Sequence, residues 1–228
     1  MHVQKSLAVF ALATLLATPL AHAAGWYVGI SGGESRTDKE LVHNRESTIV
    51  NATDIHTDFD ATDGAWKALA GYRVNEWLAV EVNYADLGKS SMVTTMLGGD
   101  APAFAAIAID RHIKGYGADL VLSGVLAPRF SVFGRAGAFR SRLKAEAALG
   151  GNIVFTNGNP ADRERSTTRD ETVFKYGLGL EWDAWRNAAL RLEWERYNKV
   201  GKAFAIGGSG TTGEADTDTF TLGAIFRF

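Results

Sequence analysis

Apolar and polar side chains alternate residue by residue in eight separate segments of this chain, and that period of two most narrowly limits what it can fold into. A strand sends successive side chains to opposite faces, whereas an amphipathic helix needs apolar residues three and four apart, so the alternation selects strand. The segments are Gly25 to Gly33, Gly64 to Val74, Trp77 to Gly88, Ile113 to Leu126, Phe130 to Leu143, Val173 to Trp182, Ala189 to Val200 and Thr217 to Phe228. In the third, Leu78, Val80, Val82 and Tyr84 oppose Ala79, Glu81, Asn83 and Ala85. In the sixth, Phe174, Tyr176, Leu178, Leu180 and Trp182 oppose Lys175, Gly177, Gly179 and Glu181. Their lengths suit tilted membrane-crossing strands, which need ~9–11 residues.

The connections give an independent constraint. Those after the second, fourth and sixth segments are brief: Asn75-Glu76, Ala127-Pro128-Arg129 and Asp183 to Asn187. The others run roughly fifteen to thirty residues, and short turns on one side with long loops on the other are the habit of outer-membrane barrels. Backbone amides have no water to bond inside a bilayer, so without helices only a closed sheet can cross it. The expectation is an all-β, eight-stranded, antiparallel up-and-down transmembrane barrel. A soluble sandwich would require neither the short-long alternation nor Trp and Tyr near the strand ends.

The N-terminus fits export. Lys5, an apolar run from about Leu7 to Leu16, and Ala21-His22-Ala23 read as a signal peptide, giving a leader at residues 1–23 and one outer-membrane barrel domain at 24–228. The alternative, an uncleaved anchor, is disfavoured because the run falls short of the ~20 residues a spanning helix needs. Removing Lys5 leaves 23 cationic side chains against 26 anionic ones, a balance that does not suit a nucleic-acid partner. The chain has no cysteine, so no disulfide framework is available.

Opposite the apolar faces lie Lys67, Arg73, Glu81, Asp119, Arg135, Lys175, Glu181, Arg191, Glu193, Glu195 and Arg227. These charges must point inward, because Lys or Arg facing lipid at the midplane costs roughly 2–4 kcal/mol. Six cations facing five anions form an ion-pair network in a lumen that eight strands make just wide enough for side chains to fill.

In order and spacing, GWYVGISGG, AGYRVNEWLAVEVNYADLG, FSVFGRAG, RLEWE and TLGAIFRF resemble the OmpA-type transmembrane barrels, the family of opacity-like and small porin-like proteins. The resemblance covers essentially residues 24–228. It implies a lumenal salt-bridge cluster at Glu81, Arg135, Glu181, Arg191 and Glu193, to which the inward pattern adds Asp119, Lys175 and Arg227. It also implies that Phe220, Leu222, Phe226 and Phe228 form the terminal signal read by the barrel-assembly machinery, with periplasmic chaperones as transient partners. Longer family members continue into a domain that grips peptidoglycan; this chain ends at Phe228, so tethering by that route is not expected.

Little in the loops suggests chemistry. Asp54, His56, Asp58, Asp60 and Asp63, in a first loop drawn from Glu34 to Asp63, offer oxygens that calcium would accept, but their spacing fits no EF-hand and a solvated acidic loop is the plainer reading. A third loop carrying Lys144, Arg163, Arg165 and Arg169, with Arg140 and Arg142 on the strand below, offers cations that could meet lipopolysaccharide phosphates, but Glu146, Asp162, Glu164, Asp170 and Glu171 interleave and a mixed solvated loop is the plainer reading. His112 near Ser90 and Ser91 is the one conceivable catalytic dyad. The expectation is a non-enzymatic, monomeric envelope scaffold with no cofactor or metal, contacting outer-membrane lipid and displaying four extracellular loops. An adhesin or a narrow channel are the alternatives.

Overall fold

The computed structural model describes residues 25–38, 52–98, 104–151, 164–201, 204–205, 211–212 and 214–228. The expected leader at 1–23 lies outside them. Eleven strands follow in order: β1 (Gly25–Thr37), β2 (Ala52–Asp60), β3 (Thr62–Arg73), β4 (Leu78–Gly98), β5 (Phe104–Ala127), β6 (Phe130–Gly151), β7 (Glu164–Trp182), β8 (Ala188–Val200), β9 (Phe204–Ala205), β10 (Thr211–Thr212) and β11 (Ala215–Arg227). The two-residue strands β9 and β10 pair only with each other.

The other nine close into a ring. Every neighbouring pair is antiparallel, β1 pairs with both β3 and β11, and β4 pairs with β5 to complete the circuit. The nine strands occupy eight positions, because β2 and β3 share one edge of β4: β3 pairs with Ala79–Asp86 and β2 with Ser91–Gly98. Following paired residues once around from Tyr72 passes Val80, Leu120, Ala136, Tyr176, Arg196, Asp218 and Arg36 and returns to β3 at Thr62, ten residues away. A stagger of that size in an eight-position barrel goes with strands tilted roughly 35–45° to the axis.

Alternation decides which face is wet. On β7, Phe174, Leu178 and Leu180 are exposed while Lys175, Gly177 and Gly179 are buried, and the large exposed apolar residues recur all around the outside. Trp26 with Tyr72 and Phe130 with Trp182 are in ring contact on one rim of this band. Trp66 with Tyr84 and Tyr176 with Trp194 form the other. Aromatic rings prefer the two membrane interfaces, so these pairs mark the edges of the hydrocarbon layer.

The brief turns lie at one end. Asn75 accepts the backbone N–H groups of Trp77 (3.0 Å) and Leu78 (2.8 Å), and Arg129 turns the chain with a left-handed φ of 70°. The first turn spans residues 74–77 between strand ends, two residues longer than the Asn75-Glu76 turn expected from sequence.

At the opposite end the sequence-based boundaries need correction. β4, β5, β6 and β7 extend about ten residues past the expected limits at Gly88, Ile113, Leu143 and Val173, and the expected first loop contains β2 and the start of β3. The physical reason is a reversal of polarity. Beyond the aromatic rim the outward positions are polar, Asp110, Lys114, Arg142 and Lys144 among them, while the inward ones become apolar: Ile107, Ile109, Ala145 and Ala147. This is the arrangement of a sheet in water, and a strand search keyed to a lipid-facing apolar stripe stops where that stripe stops. A bulge at Gly88, with φ of 77°, moves β4 out of phase, so Ser90, Met92, Thr94 and Met96 face inward.

Candidate functional site: a layered lumen and a charged outer rim

The interior is built in three layers. Nearest the brief turns, Leu69, Ala79, Val121, Phe133, Ala189 and Ile225 form an apolar layer with Tyr27. Beyond it lies a band of charge, and toward the extended strands a larger apolar layer contains Met92, Ile107, Ile109, Phe139, Leu143 and Val200.

In the charged band, Arg135 touches four carboxylates. Its Nη2 pairs with Asp119 and lies 2.8 Å from Glu81, its Nη1 donates to Glu193 at 2.7 Å, and its Nε is 3.2 Å from Glu195. The contacts to Glu81 and from Nε lack hydrogen-bond alignment, so they are charge contacts rather than directed bonds. Lys67 reaches Glu193 and lies 2.6 Å from Glu195, while Lys175 lies 2.9 Å from Asp119 and 3.0 Å from Glu195. Arg191 bridges Glu81 at 2.7 Å and Glu181 at 2.8 Å. Glu181 also meets Arg227 and, at 3.6 Å, Arg73. The structure therefore brings Glu81, Asp119, Arg135, Lys175, Glu181, Arg191, Glu193 and Arg227 into one connected set, joined by Lys67, Arg73 and Glu195.

Several members escape a reading confined to charges on strands. Asp183, in a turn, takes Arg227 at 2.5 Å and makes the sixth anion. Asn83 donates to Asp119 at 2.6 Å and accepts from Lys175 at 3.3 Å, and the Tyr197 hydroxyl donates to Glu195 at 3.3 Å. Tyr27 donates to Glu81 at 2.8 Å. Such neutral donors satisfy lone pairs that cations leave open, which buried ions require. Inward glycines make room for the rings, since a Cβ at Gly71 would lie 2.2 Å from Tyr27 and one at Gly179 2.5 Å from Phe133. Tyr27→Phe is expected to cost about 1.5–3 kcal/mol, in line with one lost hydrogen bond to a charged group, read from the denaturant midpoint of the folded barrel.

Among the described residues, one cation is buried in the outer apolar layer, near Glu171. Arg111 is buried, its Nη2 donates to the Val200 carbonyl at 3.1 Å, and its Nε and Nη1 have no hydrogen-bond partner among the described residues. Burial lowers this guanidinium to about 10.

Outside, Arg140, Arg142 and Lys144 stand on β6 and face away from the lumen; Arg140 and Arg142 lie on a strand as expected, and Lys144 lies on the same strand rather than in the third loop. Arg142 holds Asp170 across the strands at 2.9 and 3.2 Å, and that hydrogen bond keeps the Asp170 carboxyl below its usual range. Lys144 pairs with Glu146 at 2.7 Å. Arg140 has only Thr172 at 3.5 Å, and among the described residues no carboxylate lies within ion-pair distance of it. Asp54, His56, Asp58 and Asp60 share the exposed face of β2, and no three metal-ligating side chains cluster among the described residues. His112 Nε2 is engaged by Asp86 at 2.8 Å, and its cross-strand neighbour is Lys89 rather than either serine. Phe220, Leu222, Phe226 and Phe228 all project outward, on β11 and at its end.

A closed antiparallel ring with an apolar exterior between two aromatic rims, and with the charges of that band turned into the lumen, defines a transmembrane β-barrel. The OmpA-like transmembrane domain family model matches residues 21–228, and the chain belongs to that family. No curated protein matches the chain by sequence. Among solved structures, neisserial surface protein A is similar in fold, with a TM-score of 0.51 at 15% identity over 91% of this chain and 100% of that one. The attachment invasion locus protein Ail of Yersinia pestis matches at a TM-score of 0.43 and 17% identity, covering 90% of this chain and 100% of its own. OprG of Pseudomonas aeruginosa matches at 0.46 and 13%, covering 90% and 97%.

Proposed function

We propose that this protein is a sealed scaffold of the outer membrane. Its charge band plugs the lumen, and its extended strands display four extracellular connections while adding to the integrity of the envelope. One observation carries the reading: Glu81, Arg135, Lys175, Glu193 and Glu195 fill the middle of the barrel with at most 4% of any of them exposed. A void of about 10 Å³ beside Lys67 and Arg191 has room for roughly one water molecule. The apolar layers on either side raise the cost of an ion passing through. No step in this role requires catalysis, so the reading is non-enzymatic.

The test is conductance. Purified protein in a planar bilayer is expected to give a record without discrete steps, both in the wild type and at raised voltage. Regular unitary steps altered by Glu81→Ala would replace the scaffold reading with a narrow channel.

A further inference from the structure

The lipid-facing surface is not uniformly bulky. Across β3 to β6 the register sets Ala70, Val82, Ala118 and Ala138 side by side, with Ala68 beside Tyr84 one rung further out. These small side chains leave the stretch recessed beside Tyr84 and Tyr116; a second recess, at Ile30, Gly32, Leu222 and Ala224, has no cationic side chain in its lining. The recess is an open groove of about 640 Å³ whose walls include Tyr84 and Tyr116 and whose extracellular end reaches Arg140 and Thr172.

The charge at that end is specific. Arg140 pairs in register with Tyr116, and Lys114 lies one rung out on β5, opposite Arg142. Among the described residues neither Arg140 nor Lys114 has a carboxylate within ion-pair distance, whereas Arg142 and Lys144 are each matched by an anion on the same face. Arg140 and Lys114 thus stand where the apolar groove meets the headgroup zone, neither held in an ion pair among the described residues, with Asp86 across the strand from Lys114 engaged by His112.

We infer that this groove is a seat for one phosphorylated glycolipid of the outer leaflet, of the lipid A type. An acyl chain lies along Ala118 and Ala138 beside Tyr116, and a phosphate sits on Arg140 and Lys114. Both halves have a physical cause. A recess in a lipid-facing wall is filled by whatever chain makes the most dispersion contacts, and a guanidinium beside an ammonium binds phosphate in preference to a zwitterionic headgroup. The side of the membrane selects the occupant: the cations lie at the rim away from the brief turns, the extracellular one in an outer-membrane barrel, and the outer leaflet there is built of lipid A. The inference does not depend on a sealed lumen, since it concerns only the outside wall.

The experiment is native mass spectrometry of the folded barrel after exchange into a mild detergent containing added lipid A, with folding of every variant checked by its heat-shifted mobility. The wild type is expected to retain one lipid A. The double variant Lys114→Ala/Arg140→Ala is expected to bind at least tenfold more weakly. Ala138→Phe, which fills the groove and leaves the charges in place, is expected to weaken binding comparably. Lipid A stripped of phosphate should lose affinity for the wild type but show no further loss with the double variant. Phosphatidylglycerol retained as well as lipid A would overturn the choice of occupant. Wild-type retention by both the double variant and Ala138→Phe would overturn the site.

Discussion

Arg135→Ala is expected to lower the unfolding free energy of the barrel by roughly 3–5 kcal/mol, the range in which loss of one partner leaves buried charge uncompensated. Arg135 is the one cation that touches Glu81, Asp119, Glu193 and Glu195 together. Without it these four carboxylates share Lys67, Lys175 and Arg191, and the set becomes one charge more negative in a space closed to water. Adding Glu193→Gln to Arg135→Ala is therefore expected to recover part of the loss, because it removes one of the stranded anions. Urea unfolding of protein refolded into vesicles measures both. A loss below about 1 kcal/mol would mean that water or counter-ions already reach the cluster, contrary to its burial.

The second large effect concerns the opposite face. Leu120 lies near the middle of the lipid-facing run of β5 and is 58% exposed. Leu120→Arg is expected to destabilise the vesicle-embedded barrel by roughly 2–4 kcal/mol, the cost of a cation at the bilayer midplane. In water, a position exposed to that degree would tolerate arginine with almost no penalty. The same unfolding assay, compared with Leu126→Arg nearer the turn end, is expected to show the cost falling toward the interface.

Much of the barrel was legible because its chemistry obeys one rule inside the membrane: apolar out, charged in. Glu81, Arg135, Glu181, Arg191 and Glu193 could be assigned to the lumen from that rule and from motif resemblance together. What escaped did so for physical reasons. Above the aromatic rim the rule inverts, so Phe104–His112, Lys144–Gly151 and Glu164–Thr172 read as loop although they are paired strand. The Gly88 bulge shifts the phase of β4 and hides the inward row Ser90, Met92, Thr94 and Met96. Tyr27 and Tyr197 carry no charge, and a tyrosine on a membrane strand reads first as an interfacial anchor, although here both hydroxyls serve carboxylates inside. Ala118 and Ala138 look unremarkable in an alternating pattern. The groove they form depends on cross-strand register, which pairing alone supplies.

Lipid touches every second side chain of each membrane strand, and the absence of native cysteine makes that directly measurable. Single cysteines at Ala118, Leu120, Val121, Leu122 and Ser123 would carry a spin label, with oxygen accessibility read in vesicles. The account predicts high accessibility at 118, 120 and 122 and low values at 121 and 123. Equal accessibility along the strand, or a maximum at 121, would contradict it.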